Sequence, residues 1–350
     1  MVKKEKQVGL MNRYFFKGLL FCSLIFCLTA CNQDTNTKPP KSKTNTSTKT
    51  KVDYKVPNFI ADSAYAYIQK QVDFGPRVPN TDAHVECGNW LVAQFRSYGL
   101  KVQEQEAVLK AFDGTPLKSK NIIAKYKPER RRRIMFCAHW DTRPFADHDP
   151  DKSKYNEPID GANDGGSGVG VILEAARLIA QEDVPLGIDF VLFDSEDYGQ
   201  PADSPLPTVQ NSYCLGSQYW ANSVRNKPYN PMYGILLDMV GGEGAIFTKE
   251  GSSMQFAPHI VKKVWSIADG LGYGAIFKDQ LTKGIIDDHV YVSSIASIPT
   301  IDIIEYDPQT ESNFGEYWHT HDDDMDVIDT KTLKAVGQTI LTVYFKEAYD

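Results

Sequence analysis

Apolar positions along the chain fall into two alternating patterns. Asn58 to Phe74 repeats apolar residues at helical spacing, through Ile60, Ala64, Tyr67, Ile68 and Val72. Asp82 to Tyr98 does the same with Val85, Trp90, Leu91, Ala93 and Phe95, and Gly99 ends it. Strand-like runs follow at Lys101 to Val108, Asn121 to Tyr126 and Ile134 to His139. Helical spacing returns at Val171 to Gln181, Leu215 to Val224, Ala257 to Leu271 and Lys331 to Ala348, with strands predicted between them at Ile188 to Asp194, Gly234 to Met239 and Pro299 to Ile304. This alternation predicts one α/β domain: a central mixed, mostly parallel β-sheet flanked by helices on both faces. Phe190-Val-Leu-Phe193 is apolar without interruption, as a strand covered on both faces requires.

The first 56 residues break both patterns. Lys3, Lys4, Lys6, Arg13 and Lys17 precede an apolar stretch, Gly18 to Leu28, that is too short to span a bilayer. It ends in Leu28-Thr-Ala-Cys31, which resembles a bacterial lipobox. Residues 1–30 are therefore expected to be a lipoprotein signal peptide, and Cys31 a lipidated mature N-terminus. That places the protein in the bacterial cell envelope, membrane-anchored and facing the periplasm or the exterior. Residues 31–56, rich in Thr, Lys, Asn, Ser and Pro, read as a disordered tether. Residues 57–350 form the folded domain.

The net charge of −7 argues against a nucleic-acid partner. Arg130 to Arg133 is expected to be a solvated turn. Beyond the signal and Cys31, three cysteines remain: Cys87, Cys137 and Cys214. They match no zinc spacing and are read as small buried hydrophobes. Trp220 and Trp265 are expected in the core. His84, His148 and His259 are expected at the surface.

Chemistry concentrates where strands should end. Phe193 is followed by Asp194, Glu196 and Asp197, and neighbouring acids at a strand end repel one another and are costly to desolvate. A metal ion would offset that cost for one, leaving another to carry a proton. His139, Asp164, Asp238 and His319 follow other strands or lie in turn-rich loops. Histidine with carboxylates suits Zn²⁺ with a coordination position left open.

The motifs Gly161-Ala-Asn-Asp164, Asp194-Ser-Glu-Asp197, Leu237-Asp-Met239, Asp287-Asp-His289 and Trp318-His-Thr320 occur in an order that resembles the zinc aminopeptidase superfamily. Within it, Trp318 before His319, the acids Asp322 to Asp324 and the doubled acid Asp287-Asp288 look most like glutaminyl cyclases of the bacterial lipoprotein form. The resemblance implies one Zn²⁺ held by Asp164, Asp197 and His319, with Glu196 as general base and acid. Asp238 and Asp288 would form an acid network beside Glu196, and Trp318 and His139 would line the substrate pocket. His139 and Asp238 also match positions that bind a second zinc in the aminopeptidases, so ligand types leave the metal count open. His289 is expected to orient Asp288, and Asp194 to be a turn acid. The shorter Asp197 stands where animal cyclases carry Glu, and the identity of a second pocket aromatic is open. The substrate implied is a peptide or protein with N-terminal Gln. A two-zinc aminopeptidase and a non-catalytic surface lipoprotein are the competing readings.

Overall fold

A computed structural model describes residues 54–350. The signal segment, Cys31 and nearly all of the tether lie outside the described residues. Tyr54 already packs, its ring stacked on Tyr349 at 4.7 Å.

The helices are α1 (Ala61–Val72), α2 (Asp82–Ser97), α3 (Gly166–Ala180), α4 (Leu215–Val224), α5 (Gly251–Phe256), α6 (Pro258–Gly270), α7 (Asp288–Ala296) and α8 (Thr330–Tyr349). The strands are β1 (Lys101–Lys110), β2 (Pro116–Tyr126), β3 (Arg133–His139), β4 (Gly187–Phe193), β5 (Gly234–Asp238), β6 (Phe247–Lys249), β7 (Phe277–Leu281) and β8 (Thr300–Ile304). Six strands form the main sheet in the order β1-β2-β4-β3-β5-β8. β4, β3, β5 and β8 run parallel, while β1 and β2 pair antiparallel at one edge. The expected mixed, mostly parallel sheet is therefore present. β6 and β7 add a small parallel pair that apolar spacing did not foretell.

Helices cover both faces. On one, α1, α3 and α8 bury a large core with Phe136, Phe190, Ile235 and Ile303. On the other, α4 and α7 close a smaller core over Met135, Cys137, Val191 and Phe193. Residues Gly187 to Phe193 are buried throughout, so the continuous apolar run is indeed a two-sided strand. Trp220 and Trp265 are core residues, and all three remaining cysteines are buried. Among the described residues, no helix is long and apolar enough to cross a membrane.

Two expectations need correction. Arg130, Arg131 and Arg132 are exposed, but Arg133 is buried and chelates Asp189 through Nε and Nη2. A guanidinium can enter a core when a carboxylate matches it at both nitrogens. His84 is not at the surface. It is buried, stacked on Trp140, with Nε2 2.9 Å from Asp194. Asp194 accordingly does more than turn the chain. It also accepts the backbone N–H groups of Lys120 and Ser195, tying β2 and α2 to the end of β4.

This fold brings the carboxyl ends of β3, β4, β5 and β8 to one edge of the sheet. α3 seats its first turn against β5 so closely that a Cβ at Gly168 would lie 2.2 Å from the Leu237 carbonyl oxygen.

Candidate active site

Three donors converge at that edge. Asp164 precedes α3, Asp197 follows β4 and His319 lies in the loop before α8. Their ligand atoms all lie within 4.8 Å of one another. His319 Nε2 is 3.4 Å from Asp197 Oδ1 and 3.7 Å from Asp164 Oδ2. All three residues are buried. Asp197 Oδ2 has no hydrogen-bond partner, which for a buried carboxylate oxygen asks for a cation. One imidazole and two carboxylates at this spacing fit a zinc ion, and Asp197 reaches the cluster despite its short side chain.

A second donor set shares Asp164. His139 Nε2 is 2.9 Å from Asp164 Oδ1 and 3.2 Å from Asp238 Oδ1. His139 is buried behind the carboxylates rather than open to solvent, and a Cβ at Gly165 would strike its ring at 2.7 Å. Gly165 also has φ +76°, so the turn into α3 needs glycine twice over.

Backbone strain marks the same region. Ser195, Cys214, Met239 and His319 all adopt left-handed conformations, with φ between 47° and 58°. Each adjoins or is a residue of the cluster, as expected where a fold over-determines its functional groups.

Glu196 sits beside the ligand set. Its backbone N–H donates to Asp141 Oδ1 at 3.0 Å, and that of Asp197 to Asp141 Oδ2 at 3.2 Å. One buried acid therefore fixes both residues. Cys214 holds Glu196 from the other side: its N–H donates to the Glu196 carbonyl at 2.8 Å and its thiol to Glu196 Oε1 at 3.1 Å. Burial pushes the Glu196 carboxyl well above the usual range; His139 opposes this, while Asp197, Asp287 and Asp288 add to it.

Of the two acids expected beside Glu196, Asp288 is one of the carboxylates that raise its proton affinity, together with Asp287. Asp238 pairs with His139. The acid brought within 4.8 Å of Glu196 and Cys214 is Asp287, which also caps α7. Asp288 is buried at the first residue of α7, with its carboxyl pushed well up by burial and by Asp287. His289 does not orient Asp288. It lies between Glu250, 3.1 Å from Nε2, and Asp302, 3.6 Å from Nδ1. The cause is helical geometry: successive residues on α7 point about 100° apart, so Asp288 and His289 cannot face each other.

Trp318 is half-buried and stacks on the His319 ring at 3.7 Å, with Phe314 and His148 on its other contacts. It borders a cavity of about 250 Å³ shared with His148, Thr310 and Gly315. His148 is thus exposed as expected but belongs to the site's wall. His321, the neighbour of His319, pairs instead with Asp149 at 2.8 Å. On the Asp197 side, Tyr198, Phe145 and Phe112 form an aromatic cluster with centroids 5.8 to 6.4 Å apart.

Several supporting residues were given no role from sequence. Asp141, Asp147, Arg143, Cys214 and Asp323 all contact the candidate ligand or proton-carrying residues. Asp323 accepts the N–H groups of Asn163 and Asp164 at 2.7 and 3.0 Å. Signals existed for Asp323, inside the acid run Asp322 to Asp324, and for Asp141 and Asp147, acids just beyond the end of β3.

Comparison with known proteins agrees with this geometry. Residues 121–344 match Peptidase family M28. The chain belongs to Peptidase family M28. Among M28-type relatives, it is 27% identical to aminopeptidase YwaD of Bacillus subtilis over 70% of this chain, and 24% identical to the glutaminyl-peptide cyclotransferase of Bos taurus over 65%. It spans 48% of the former's length and 65% of the latter's. The solved structure of Tannerella forsythia glutaminyl cyclase is 52% identical, with a TM-score of 0.81, covering 83% of this chain and 99% of that one. Bacteroides thetaiotaomicron glutaminyl cyclase, bound to N-acetylhistamine, is 53% identical with a TM-score of 0.79, covering 84% and 99%. A Zn-dependent exopeptidase from Parabacteroides distasonis is 52% identical with a TM-score of 0.82, covering 83% and 99%. This fold is thus shared by cyclases and exopeptidases alike.

Proposed function

We propose that this protein is a zinc-dependent glutaminyl-peptide cyclotransferase. It converts the N-terminal Gln of peptides or proteins to pyroglutamate and releases ammonia. The observation that carries this reading is the placement of Glu196, a carboxyl held by Cys214 and the Asp141-fixed backbone, directly beside the Asp164–Asp197–His319 donors. The close likeness to bacterial glutaminyl cyclases over nearly their whole length supports it.

Asp164, Asp197 and His319 would hold the zinc, which when bound supplies a Lewis acid for the γ-amide carbonyl of the substrate Gln. Glu196 takes a proton from the attacking α-amine and returns it to the departing ammonia. One carboxyl can serve both steps because both nitrogens reside on the same carbon. A raised proton affinity suits the group that must carry the proton between them. Asp287 lies within 4.8 Å of Glu196, and its carboxylate adds to the proton affinity of Glu196. Trp318, braced by His319 and Phe314, offers an apolar wall that folds the Gln side chain back on its own amine.

A two-zinc aminopeptidase is the second reading, favoured by the His139–Asp164–Asp238 set. Zinc titration of the stripped protein separates the two. The cyclase reading expects ammonia release from a Gln-initiated peptide to vanish on chelation and to return fully with one equivalent of zinc. Recovery only at two equivalents, with cleavage of a Leu-initiated peptide, would favour the aminopeptidase.

The lipid anchor at Cys31 and an envelope location facing the periplasm or the exterior complete the proposal and rest on residues 1–31 alone. A Cys31→Ser variant is expected to leave the membrane fraction and to lose labelled fatty acid. Continued labelling would refute the anchor.

A further inference from the structure

Arg143 stands in an unusual position for a cation, next to a site built to receive another. It is completely buried, and the guanidinium makes four contacts. Nε and Nη2 each donate to the Asp147 carboxylate at 2.6 Å. Nη1 donates to the Asp197 carbonyl oxygen at 2.9 Å and lies 3.4 Å from Asp197 Oδ1. The rings of Phe145 and Tyr213 lie 5.8 and 5.3 Å from it. Asp147 in turn places Oδ1 3.1 Å from His319 Nδ1. A single guanidinium is thereby joined to two of the three zinc donors: to Asp197 directly, and to His319 through Asp147.

We propose that Arg143 is a positioning residue for the zinc site, fixing the Asp197 carboxylate and, through Asp147, the ring of His319. This rests on the metal reading given above but not on which reaction follows. Coulomb repulsion between Arg143 and a divalent ion is unfavourable. The guanidinium contacts two acids, Asp147 and Asp197, and so keeps those two from splaying apart before metal arrives. Asp147 lies against the Nδ1 side of the His319 ring, opposite the Nε2 that lies toward Asp164 and Asp197. The planar fork matters as well as the charge, because three separate nitrogens are used at once.

A purely structural ion pair would predict a less stable fold and unchanged metal binding. A positioning role predicts a change in metal affinity itself. The test is competition for zinc with a chromogenic chelator, on wild type and on Arg143→Met, Arg143→Lys and Asp147→Asn, with thermal melts of the zinc-free proteins as controls for folding. Loss of an orienting group outside the ligand set weakens metal binding by roughly 10- to 100-fold. Arg143→Met and Asp147→Asn are each expected to fall in that range, with Arg143→Lys between them and wild type. The double variant Arg143→Met/Asp147→Asn should lose much less than the product of the two single losses, because both act along one chain of contacts. Folded variants that bind zinc as tightly as wild type would overturn the proposal. Should Arg143→Met not fold, Asp147→Asn decides alone, since it keeps the side-chain volume and alters only the acceptor. Wild type that binds no zinc would overturn the metal reading itself, an outcome distinct from equal affinities across the series.

Discussion

Glu196 is the residue on which the chemistry turns, and its surroundings say how it should fail. A Glu196→Gln change keeps the shape but removes the proton carrier. Turnover should fall by about 100-fold or more, the usual scale for a general base, while zinc binding persists. Near-normal turnover in that variant would remove Glu196 from its role. Cys214 gives a finer test. Its buried thiol is a donor to Glu196 and its pKa is pushed well up by burial and by the Glu196 charge, so it should resist alkylation in the folded protein. Cys214→Ser retains a donor and should keep most activity, whereas Cys214→Ala should lower kcat with little change in KM. Equal effects from both would show that the hydrogen bond is unimportant. The candidate ligands Asp164, Asp197 and His319 were named because each sits in a short motif that resembles the zinc aminopeptidase superfamily, and the structure brings the three together. Asp141, Arg143 and Asp147 were not: an acid or arginine in a loop is ordinary until the fold turns it inward.

Among the elements, α3 and α7 behave oppositely. Helical spacing placed the start of α3 at Val171, but the helix begins five residues earlier at Gly166, where glycine is needed for close packing: Gly168 lies against the Leu237 carbonyl and Gly165 against His139. Gly168→Ala should destabilise the fold by about 1–3 kcal/mol through overpacking, measured by denaturant unfolding. A neutral result would mean that α3 can shift away from β5 without loss. α7 escaped detection since it is covered on more than one side and shows no clean apolar stripe. Its start brings two adjacent acids to the site. Asp287 ends the preceding loop as the N-cap and lies within reach of Glu196 and Cys214, and Asp288, the first residue of the helix, is buried beside the same two groups. The β6–β7 pair was missed because three- to five-residue strands carry too short a pattern for alternation to register.

Across the molecule, the parallel strands fix the outcome. β3, β4, β5 and β8 deliver their ends to one edge, and that edge gathers donors distant in sequence. The six strands of the main sheet and its mixed, mostly parallel character followed from apolar spacing. The pairing of β1 and β2 antiparallel at the edge, and the choice of partners within the acid cluster, depend on contacts between distant segments that no local pattern encodes. Since cyclases and exopeptidases share this architecture, the reaction product distinguishes them more directly than the fold does. The decisive measurement is the intact mass of one peptide, Gln followed by Leu at its N-terminus, after incubation with the zinc-loaded protein. Loss of one ammonia with every residue retained is the predicted result. Loss of the Gln residue, with Leu newly exposed, would contradict the cyclase account and establish an aminopeptidase.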